Sequence, residues 1–245
     1  MNDLRVGVVL ATCNEARNIK TLIPAIENAL NGFEVDVFVV DDDSSDRTAS
    51  VAASTGAHVI PRNGRLGLGS AVRDGVKAAL KRGVDIVVQM DADWQHNPDD
   101  VVRLIDPIVK NEFDFVIGCR RFYGGLEAKG MNVFRRLVSK AAFISAKYLL
   151  QLNLRDPTSG FRVFRELGAE AVLSTRENGF AFQVEALQNV KKMDLRVLEV
   201  PIRFERRLYG NSKLHLKEVF GYLRVLLKRA GYFQLLEYDV VLEKT

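Results

Sequence analysis

The chain has 245 residues, 47 % hydrophobic and 27 % charged, with a formal net charge of +4, enough for one large α/β domain or one domain with an appendage. No apolar run approaches the roughly 18 residues that a membrane-spanning helix needs, and the first residues lack a signal-peptide pattern. Cys13 and Cys119 are far apart and show no metal-binding spacing, so we expect a reduced, cytoplasmic compartment.

The first half of the chain alternates strand-like and helix-like segments. This alternation predicts an α/β fold with a mostly parallel sheet flanked by helices. The predicted strands are Arg5–Leu10, Val35–Val40, His58–Ile60, Asp85–Met90 and Phe115–Gly118. The predicted helices are Asn18–Leu30, Thr48–Ser54, Ser70–Lys81 and Pro98–Val109. We expect Asp46 to cap the second helix, and Asn97 to cap the fourth with Pro98 as its first residue.

The pattern changes from about Arg120, where a basic loop leads to a long amphipathic helix, Asn132–Leu152. Basic residues interleave with the apolar stripe of this helix, which either packs on the sheet or lies on an anionic membrane surface. The later predicted elements are a helix near Gln183–Lys192, a strand pair around Val197–Phe204 and a helix from Leu216. We therefore expect a catalytic domain over 1–213 and a C-terminal amphipathic extension over 214–245, packed on that domain or on a membrane.

Two carboxylates, Asp91 and Asp93, follow the apolar strand Asp85–Met90 directly. In an open α/β sheet, ligands bind beyond the carboxyl ends of the strands. Together with the amide oxygen of Gln95, the pair supplies the oxygen ligands that Mg²⁺ or Mn²⁺ prefers, and other positions remain for water or substrate phosphates. A turn capped by the aspartates is the alternative. An EF-hand loop is excluded because its sixth position lacks glycine and its twelfth is Val102.

Polar residues also follow two other predicted strands, at Ala11–Glu15 and Val40–Asp43. Because parallel strands end at one edge, we expect these segments near Asp91. Carboxylates at Asp41 and Asp42 can accept hydrogen bonds from ribose hydroxyls or base N–H groups, with a simple polar turn as the alternative. The segment Gly64–Gly69 contains G-x-G, but it follows the third strand and lacks the third glycine of a dinucleotide fingerprint. A Rossmann cofactor site is therefore rejected, while close approach of this backbone to a phosphate stays open.

Basic residues cluster in the second half of the chain rather than scatter along it. The clusters are Arg120 with Arg121; Arg135, Arg136 and Lys140; and Arg203, Arg206, Arg207 and Lys213. Near a divalent cation, such clusters suit a substrate that carries several phosphates. For any single member, a solvated surface charge is the alternative.

These residues resemble the family-2 glycosyltransferases of the GT-A fold, and within them the dolichyl- or polyprenyl-phosphate mannosyltransferases without transmembrane helices. The matching segments run almost end to end and are Thr12–Glu15, Val40–Ser44 with Asp46 and Thr48, Gly67–Gly69, Met90–His96, Gly118–Arg120, Thr158–Arg162, Phe182–Glu185, Glu199–Ile202 and Arg207–Lys213. The D-A-D-x-Q, T-S-G-F-R and G-x-S-K blocks together are fairly specific for enzymes that glycosylate a lipid phosphate.

The resemblance implies a role for each residue at a matching position. The metal, Mg²⁺ or Mn²⁺, would be held with the donor diphosphate by Asp91, Asp93 and Gln95. The implied donor-binding residues are these three with Ala11, Cys13, Glu15, Val40, Asp42, Ala92, Arg120, Arg207 and Lys213. The implied acceptor-binding residues are Arg135, Arg136, Ser139 and Lys213. The implied catalytic residues are Asp93, Arg120, Arg207 and Lys213.

The implied reaction is metal-dependent, inverting transfer of mannose from GDP-mannose to a dolichyl or polyprenyl phosphate, at the cytoplasmic face of a membrane. A phosphate acceptor is largely anionic at neutral pH, so no general base is needed, and His96 is interpreted as a turn residue or a support for a metal ligand. The family's usual proline and tyrosine are replaced by Ala11 and Cys13, which leaves the nucleotide base open.

Two other functions stay open at this stage. One is transfer of glucose or N-acetylglucosamine from a UDP-sugar to a polyprenyl phosphate or a sugar. The other is a non-catalytic peripheral membrane protein that binds a nucleotide sugar. A separate membrane-anchoring subunit also stays open, and nucleic acid is not an expected partner.

Overall fold

The computed structural model describes residues 4–120, 154–205 and 207–209. The strands are β1 (Arg5–Thr12), β2 (Glu34–Asp41), β3 (His58–Pro61), β4 (Ile86–Asp91), β5 (Phe115–Cys119), β6 (Arg162–Phe164) and β7 (Val197–Pro201). The helices are α1 (Ala16–Ala29), α2 (Thr48–Ser54), α3 (Leu68–Lys81), α4 (Asp100–Val109), α5 (Glu166–Leu173) and α6 (Phe182–Lys192). Every strand and helix predicted in the first half of the chain is therefore present.

The described strands form one seven-stranded sheet in the order β3-β2-β1-β4-β6-β5-β7. Strands β1 to β4 pair in parallel, β7 is parallel to β5, and β6 runs antiparallel to both β4 and β5. The prediction of a mostly parallel α/β sheet is confirmed. Because β1, β2 and β4 run the same way, the polar residues that follow them meet at one edge.

Apolar residues point to both faces of the sheet because helices cover both faces. Val8 of β1 packs in a cluster with Leu22 of α1 and Leu104 of α4. Its neighbour Val9 packs in a second cluster with Val76 of α3. Strand residues alternate between the two clusters, which explains why the central strands are continuously apolar rather than alternating.

The two predicted helix caps have different outcomes. Arg47 occupies the N-cap position of α2, and Asp46, one residue before it, accepts the N–H of Thr48 with its Oδ1 at 3.1 Å, so Asp46 supplies the predicted hydrogen bond from outside the cap position. The fourth helix begins at Asp100 rather than Pro98, so its predicted start is wrong. Asn97 Oδ1 accepts the backbone N–H two residues further on at 3.0 Å. This local turn competes with helix formation and delays the helix start.

The second half of the chain differs more from expectation. The predicted strand pair around Val197–Phe204 is wrong, because only β7 forms there, as an edge strand that ends at Pro201. Phe204 instead forms an isolated antiparallel bridge with His96, beside the carboxylate turn. The sequence analysis missed β6 and α5. A three-residue strand is too short to show a period in the sequence.

The predicted helices at Asn132–Leu152 and from Leu216, and the domain boundary between 213 and 214, lie outside the described residues. They stay predictions. Among the helices that the structure describes, none has the length and apolar character to span a membrane.

Candidate active site

The row of residues across the ends of β1, β2 and β4 forms the floor of the site. Ala11 pairs with Val40 of β2 on one side and with Asp91 of β4 on the other. Three predicted site residues therefore lie side by side in one register. The half-buried Cys13 and the buried Ala92 follow directly beyond this row.

Asp91 and Asp93 form a coupled carboxylate pair beyond β4. Asp93 is buried, and the Asp91 side chain keeps 36 % of its surface exposed. Burial raises the pKa of both groups, and the charge of Asp91 raises the pKa of Asp93 further. Burial thus disfavours the charged form of both carboxylates, and the nearby Arg120 and Arg207 do not fully offset that cost. A divalent cation would offset the rest.

The donor set of this pair fits a cation that binds mostly water and substrate oxygens. In the part of the chain that the structure describes, no three His, Cys, Asp or Glu side chains come together as a metal-holding group. Two carboxylates nevertheless suffice for Mg²⁺ or Mn²⁺ when phosphates complete the coordination. The Gln95 amide nitrogen donates to the Glu205 carbonyl at 3.2 Å, so Oε1 is the atom of this side chain that would ligate a cation.

Trp94, between the metal candidates, was missed by the sequence analysis. Its φ of +64° is unusual for a bulky residue. The indole Nε1 donates to the carbonyl of Asn18 at 3.3 Å and to Thr21 Oγ1 at 3.2 Å. These contacts with α1 hold the turn in its strained conformation, and so they hold Asp93 in place.

Arg207 connects the β1 side of the site to the β4 side. Its Nη1 lies 3.5 Å from Glu15 Oε1, and its Nη2 donates to Asp93 Oδ2. Two residues further on, the Tyr209 ring lies 4.8 Å from the Arg17 guanidinium carbon. Residues 207–209 therefore cross the ends of β1 and β4, where the sequence analysis placed a phosphate-holding arginine.

Asp42 binds a loop of its own chain. Its carboxylate accepts the N–H of Gly67 at 2.9 Å and that of Leu66 at 3.3 Å, and it pairs with Arg62 at 3.0 Å. Gly67 has a φ of +97°, and a Cβ there would lie 2.5 Å from the Asn178 carbonyl oxygen. Glycine at position 67 is therefore required by its positive φ and by the close backbone at Asn178. The predicted nucleoside contact of Asp42 stays a prediction.

Arg120 is held by a loop that the sequence analysis did not connect to it. Asp156 accepts the Arg120 backbone N–H at 3.0 Å and two guanidinium N–H groups at 2.7 Å each. Thr158 Oγ1 accepts a further one at 3.0 Å. The Glu199 carboxylate in turn accepts the backbone N–H groups of Arg155 and Asp156 at 2.8 and 2.7 Å. Asp156 and Glu199 thus hold Arg120 at the site edge, where its charge opposes the rise in the pKa of Asp91.

His96 is fully buried beneath the carboxylate pair. Its Nδ1 accepts the Asp91 backbone N–H at 3.3 Å, and its ring stacks on Phe161 with centroids 4.9 Å apart. Burial lowers the pKa of His96 to about 4. The ring is therefore neutral at physiological pH and supports the backbone of Asp91. The predicted acceptor-binding residues Arg135, Arg136 and Ser139, together with Lys213, lie outside the described residues.

The mostly parallel sheet with a D-x-D turn beyond its central strand is the architecture of the GT-A fold. The model of "Glycosyl transferase family 2" matches residues 7–172. The chain belongs to glycosyl transferase family 2.

The chain is similar to two curated relatives and to one solved structure, at different levels of identity. A dolichol-phosphate mannosyltransferase of Pyrococcus furiosus is 38 % identical over 90 % of this chain, which spans only 62 % of that protein's length. An undecaprenyl-phosphate mannosyltransferase of Micrococcus luteus is 34 % identical over 86 % of this chain and 88 % of its own. Glucosyl-3-phosphoglycerate synthase of Mycobacterium tuberculosis, crystallised with Mn²⁺, UDP-glucose and phosphoglyceric acid, superposes with a TM-score of 0.69 at 22 % identity, over 94 % of this chain and 80 % of that one. This last likeness shows the fold alone.

Gly160 provides a direct test of the Asp91 geometry. A Cβ at this position would lie 2.8 Å from Asp91 Oδ1 and 3.1 Å from Oδ2, so Gly160→Ala must displace the carboxylate. We expect sugar transfer to fall on the order of 10²-fold, as misplaced reacting groups do. The matched control is Gly7→Ala, whose Cβ would meet the Val84 side chain at 2.9 Å at the far end of β1. It should lower the thermal midpoint but leave turnover per folded molecule unchanged. Normal transfer by Gly160→Ala would contradict the placement of Asp91 in the site.

Proposed function

We propose that the protein transfers mannose from GDP-mannose to a dolichyl or polyprenyl phosphate, with inversion at the anomeric carbon. The observation that carries this proposal is the coupled pair Asp91 and Asp93, with the cations of Arg120 and Arg207 beside it. A carboxylate pair that needs a divalent cation, next to arginines that bind phosphate, suits a sugar diphosphate. The names of the two curated relatives support mannose as the sugar and a lipid phosphate as the acceptor.

The residues of the chain position the donor and offset the charge of its leaving group. Asp91, Asp93 and Gln95 would hold Mg²⁺ or Mn²⁺, which stabilises negative charge on the diphosphate when bound. A phosphate oxygen of the acceptor attacks the anomeric carbon, the bond to the diphosphate oxygen breaks, and nucleoside diphosphate leaves. Arg120 and Arg207 stabilise the charge that develops on it, and we assign Lys213 the same role. No protein base is required, because the attacking phosphate is already anionic.

We assign the other predicted contacts in the same way. Ala11, Cys13, Glu15, Val40, Asp42 and Ala92 belong to the donor side, and Arg135, Arg136 and Ser139 to the acceptor side. The acceptor is a membrane lipid, so we propose that the enzyme works at the cytoplasmic face of a membrane as a peripheral protein. The extension 214–245 or a separate anchoring subunit would provide the attachment.

A donor screen tests the proposed function. The full chain is incubated with Mn²⁺ or Mg²⁺, a short polyprenyl phosphate and radiolabelled GDP-mannose, UDP-glucose or UDP-N-acetylglucosamine. We expect label to enter the organic phase from GDP-mannose only, and EDTA to stop the transfer. Transfer from a UDP-sugar alone would contradict the donor assignment, with Cys13 as the first residue to examine. Nucleotide binding without transfer from any donor would contradict the enzymatic role.

Arg207 should weaken cation binding before the donor binds. Its guanidinium donates a hydrogen bond to Asp93 Oδ2, an oxygen that would also bind the cation. We expect Arg207→Gln to bind Mn²⁺ more tightly than wild type without nucleotide, since one positive charge has left the site. The same variant should transfer sugar at least about tenfold more slowly, because the leaving diphosphate loses a partner. Arg17→Gln is the matched control, since Arg17 is exposed and contacts Tyr209 rather than a carboxylate. Mn²⁺ affinity is measured by electron paramagnetic resonance, and weaker binding by Arg207→Gln would contradict the expectation.

A further inference from the structure

His96 has a hydrogen-bond donor that the site described above does not use. Because Nδ1 accepts the backbone N–H of Asp91, the neutral ring carries its proton on Nε2. Nε2 is buried, and within residues 4–120, 154–205 and 207–209 it has no hydrogen-bond partner. Asp91 Oδ2 lies 3.9 Å away from it. A buried N–H without an acceptor is costly, so its proximity to a candidate metal ligand requires a physical reason.

The ring of His96 cannot turn away from Asp91. Phe161 stacks against it with an interplanar angle of 24°, and the Phe204 ring packs 5.5 Å from it. The backbone bridge between His96 and Phe204 fixes the chain at the same point. The donor direction is therefore set by packing, before any ligand binds.

The Asp91 carboxylate lies close to both this donor and a glycine. A Cβ at Gly160 would stand 2.8 Å from Oδ1 and 3.1 Å from Oδ2, so the absence of a side chain there leaves the carboxylate its room beside His96. A shift of about 1 Å toward His96 brings Oδ2 within the usual hydrogen-bond distance of Nε2. Gly160 therefore leaves space for the carboxylate, and His96 offers it a donor in a fixed direction.

We propose that His96 is a positioning residue that donates Nε2–H to Asp91 Oδ2 when this carboxylate holds the divalent cation. The hydrogen bond fixes which oxygen of Asp91 faces the cation and satisfies the buried donor at the same time. Hydrogen bonds of this kind to ligating carboxylates strengthen metal binding and orient the ligand. This role rests on the proposed function, because it requires the cation at Asp91 and Asp93.

Two substitutions test the contacts of the two ring nitrogens of His96 separately. In His96→Gln, the side-chain amide reaches the position of Nε2 and can still donate to Asp91. In His96→Asn, the shorter amide reaches only the position of Nδ1, so it can accept the Asp91 N–H but cannot donate to Oδ2. Both variants lose the ring stacking on Phe161, so their thermal midpoints without metal should fall by similar amounts.

The measurement is Mn²⁺ affinity by electron paramagnetic resonance, with and without GDP or UDP, on the full chain. We expect His96→Asn to bind Mn²⁺ about 10- to 100-fold more weakly than wild type, and His96→Gln to stay within about threefold. Equal loss in both variants, or greater loss in His96→Gln, would overturn the proposal, because the Nδ1 contact would then be the one that matters. Unchanged binding in His96→Asn would overturn it as well.

The same experiment distinguishes this inference from the proposed function. If wild type binds Mn²⁺ with the expected order of variants but transfers no sugar in the donor screen, the transferase proposal fails and the His96 role is supported. If wild type transfers mannose but both variants bind Mn²⁺ like wild type, the His96 role fails and the function stands. A wild-type protein that binds no Mn²⁺ with either nucleotide overturns the metal assignment and the His96 role together.

Discussion

Asp91→Asn is expected to reduce sugar transfer by on the order of 10³-fold while leaving the protein folded. The substitution keeps the size of the side chain and removes the charge that binds the cation, and losses of this size correspond to about 4 kcal/mol of transition-state stabilisation. Among the described residues, the Asp91 carboxylate accepts no hydrogen bond that the amide would break, and its Oδ2 lies 3.9 Å from His96 Nε2. Initial rates with GDP-mannose and polyprenyl phosphate measure the effect.

The stability of Asp91→Asn without metal should equal or exceed that of wild type. Burial raises the pKa of Asp91, so the folded state binds this proton more tightly than the unfolded state does. Stability therefore falls as pH rises from the unfolded pKa to the raised folded pKa, and the charged form at neutral pH is destabilising. The neutral amide removes that destabilisation. Asp106→Asn, which breaks an exposed pair with Lys110 in α4, is the control and should change neither property. Near-normal turnover by Asp91→Asn would refute the metal assignment.

The site residues that could be predicted from the sequence are those at the carboxyl ends of parallel strands, because such ends meet at one edge of the sheet. Ala11, Val40 and Asp91 were expected at one edge because parallel strands end there, and the register places them side by side. That argument needs only the strand order of the first half, where each strand is long enough to show its pattern. These strands and the helices between them followed from local sequence, apart from the start of the fourth helix.

The residues that sequence could not predict are those whose partners are distant along the chain. Asp156, which binds Arg120, lies 36 residues further along the chain. Glu199, which binds the backbone of Arg155 and Asp156, lies 44 and 43 residues beyond those two. The sequence does not indicate the role of Trp94, because that role depends on a positive φ and on contacts with α1. Asp42 was predicted from its position, but its hydrogen bonds to the glycine-rich loop depend on how that loop folds back. Tertiary packing decides which side chains contact each other, whereas strand positions follow from local sequence.

Asp156 and Asp114 make the same contacts with an arginine in two different environments. Asp114 accepts the backbone N–H, Nε and Nη2 of Arg196, as Asp156 does for Arg120. The Asp156 side chain is 1 % exposed and that of Arg120 15 %, whereas the values for Asp114 and Arg196 are 24 % and 51 %. The chain thus contains its own matched comparison of a buried and an exposed ion pair.

Asp156→Ala is expected to lower the free energy of unfolding by about 3–5 kcal/mol, because it leaves the Arg120 guanidinium buried without its counter-ion. The buried Arg162 adds to this loss: burial lowers its pKa to about 9, and the charge of Asp156 opposes that shift. Asp114→Ala should cost only a small fraction as much, since water replaces the lost contact at an exposed site. Urea denaturation of both variants, with the m-value checked for two-state unfolding, measures the difference.

Equal losses of unfolding free energy in the two variants would show that burial does not determine the strength of these pairs. A larger loss in Asp156→Ala, with sugar transfer per folded molecule also reduced, would show that this carboxylate both stabilises the fold and holds Arg120 at the site.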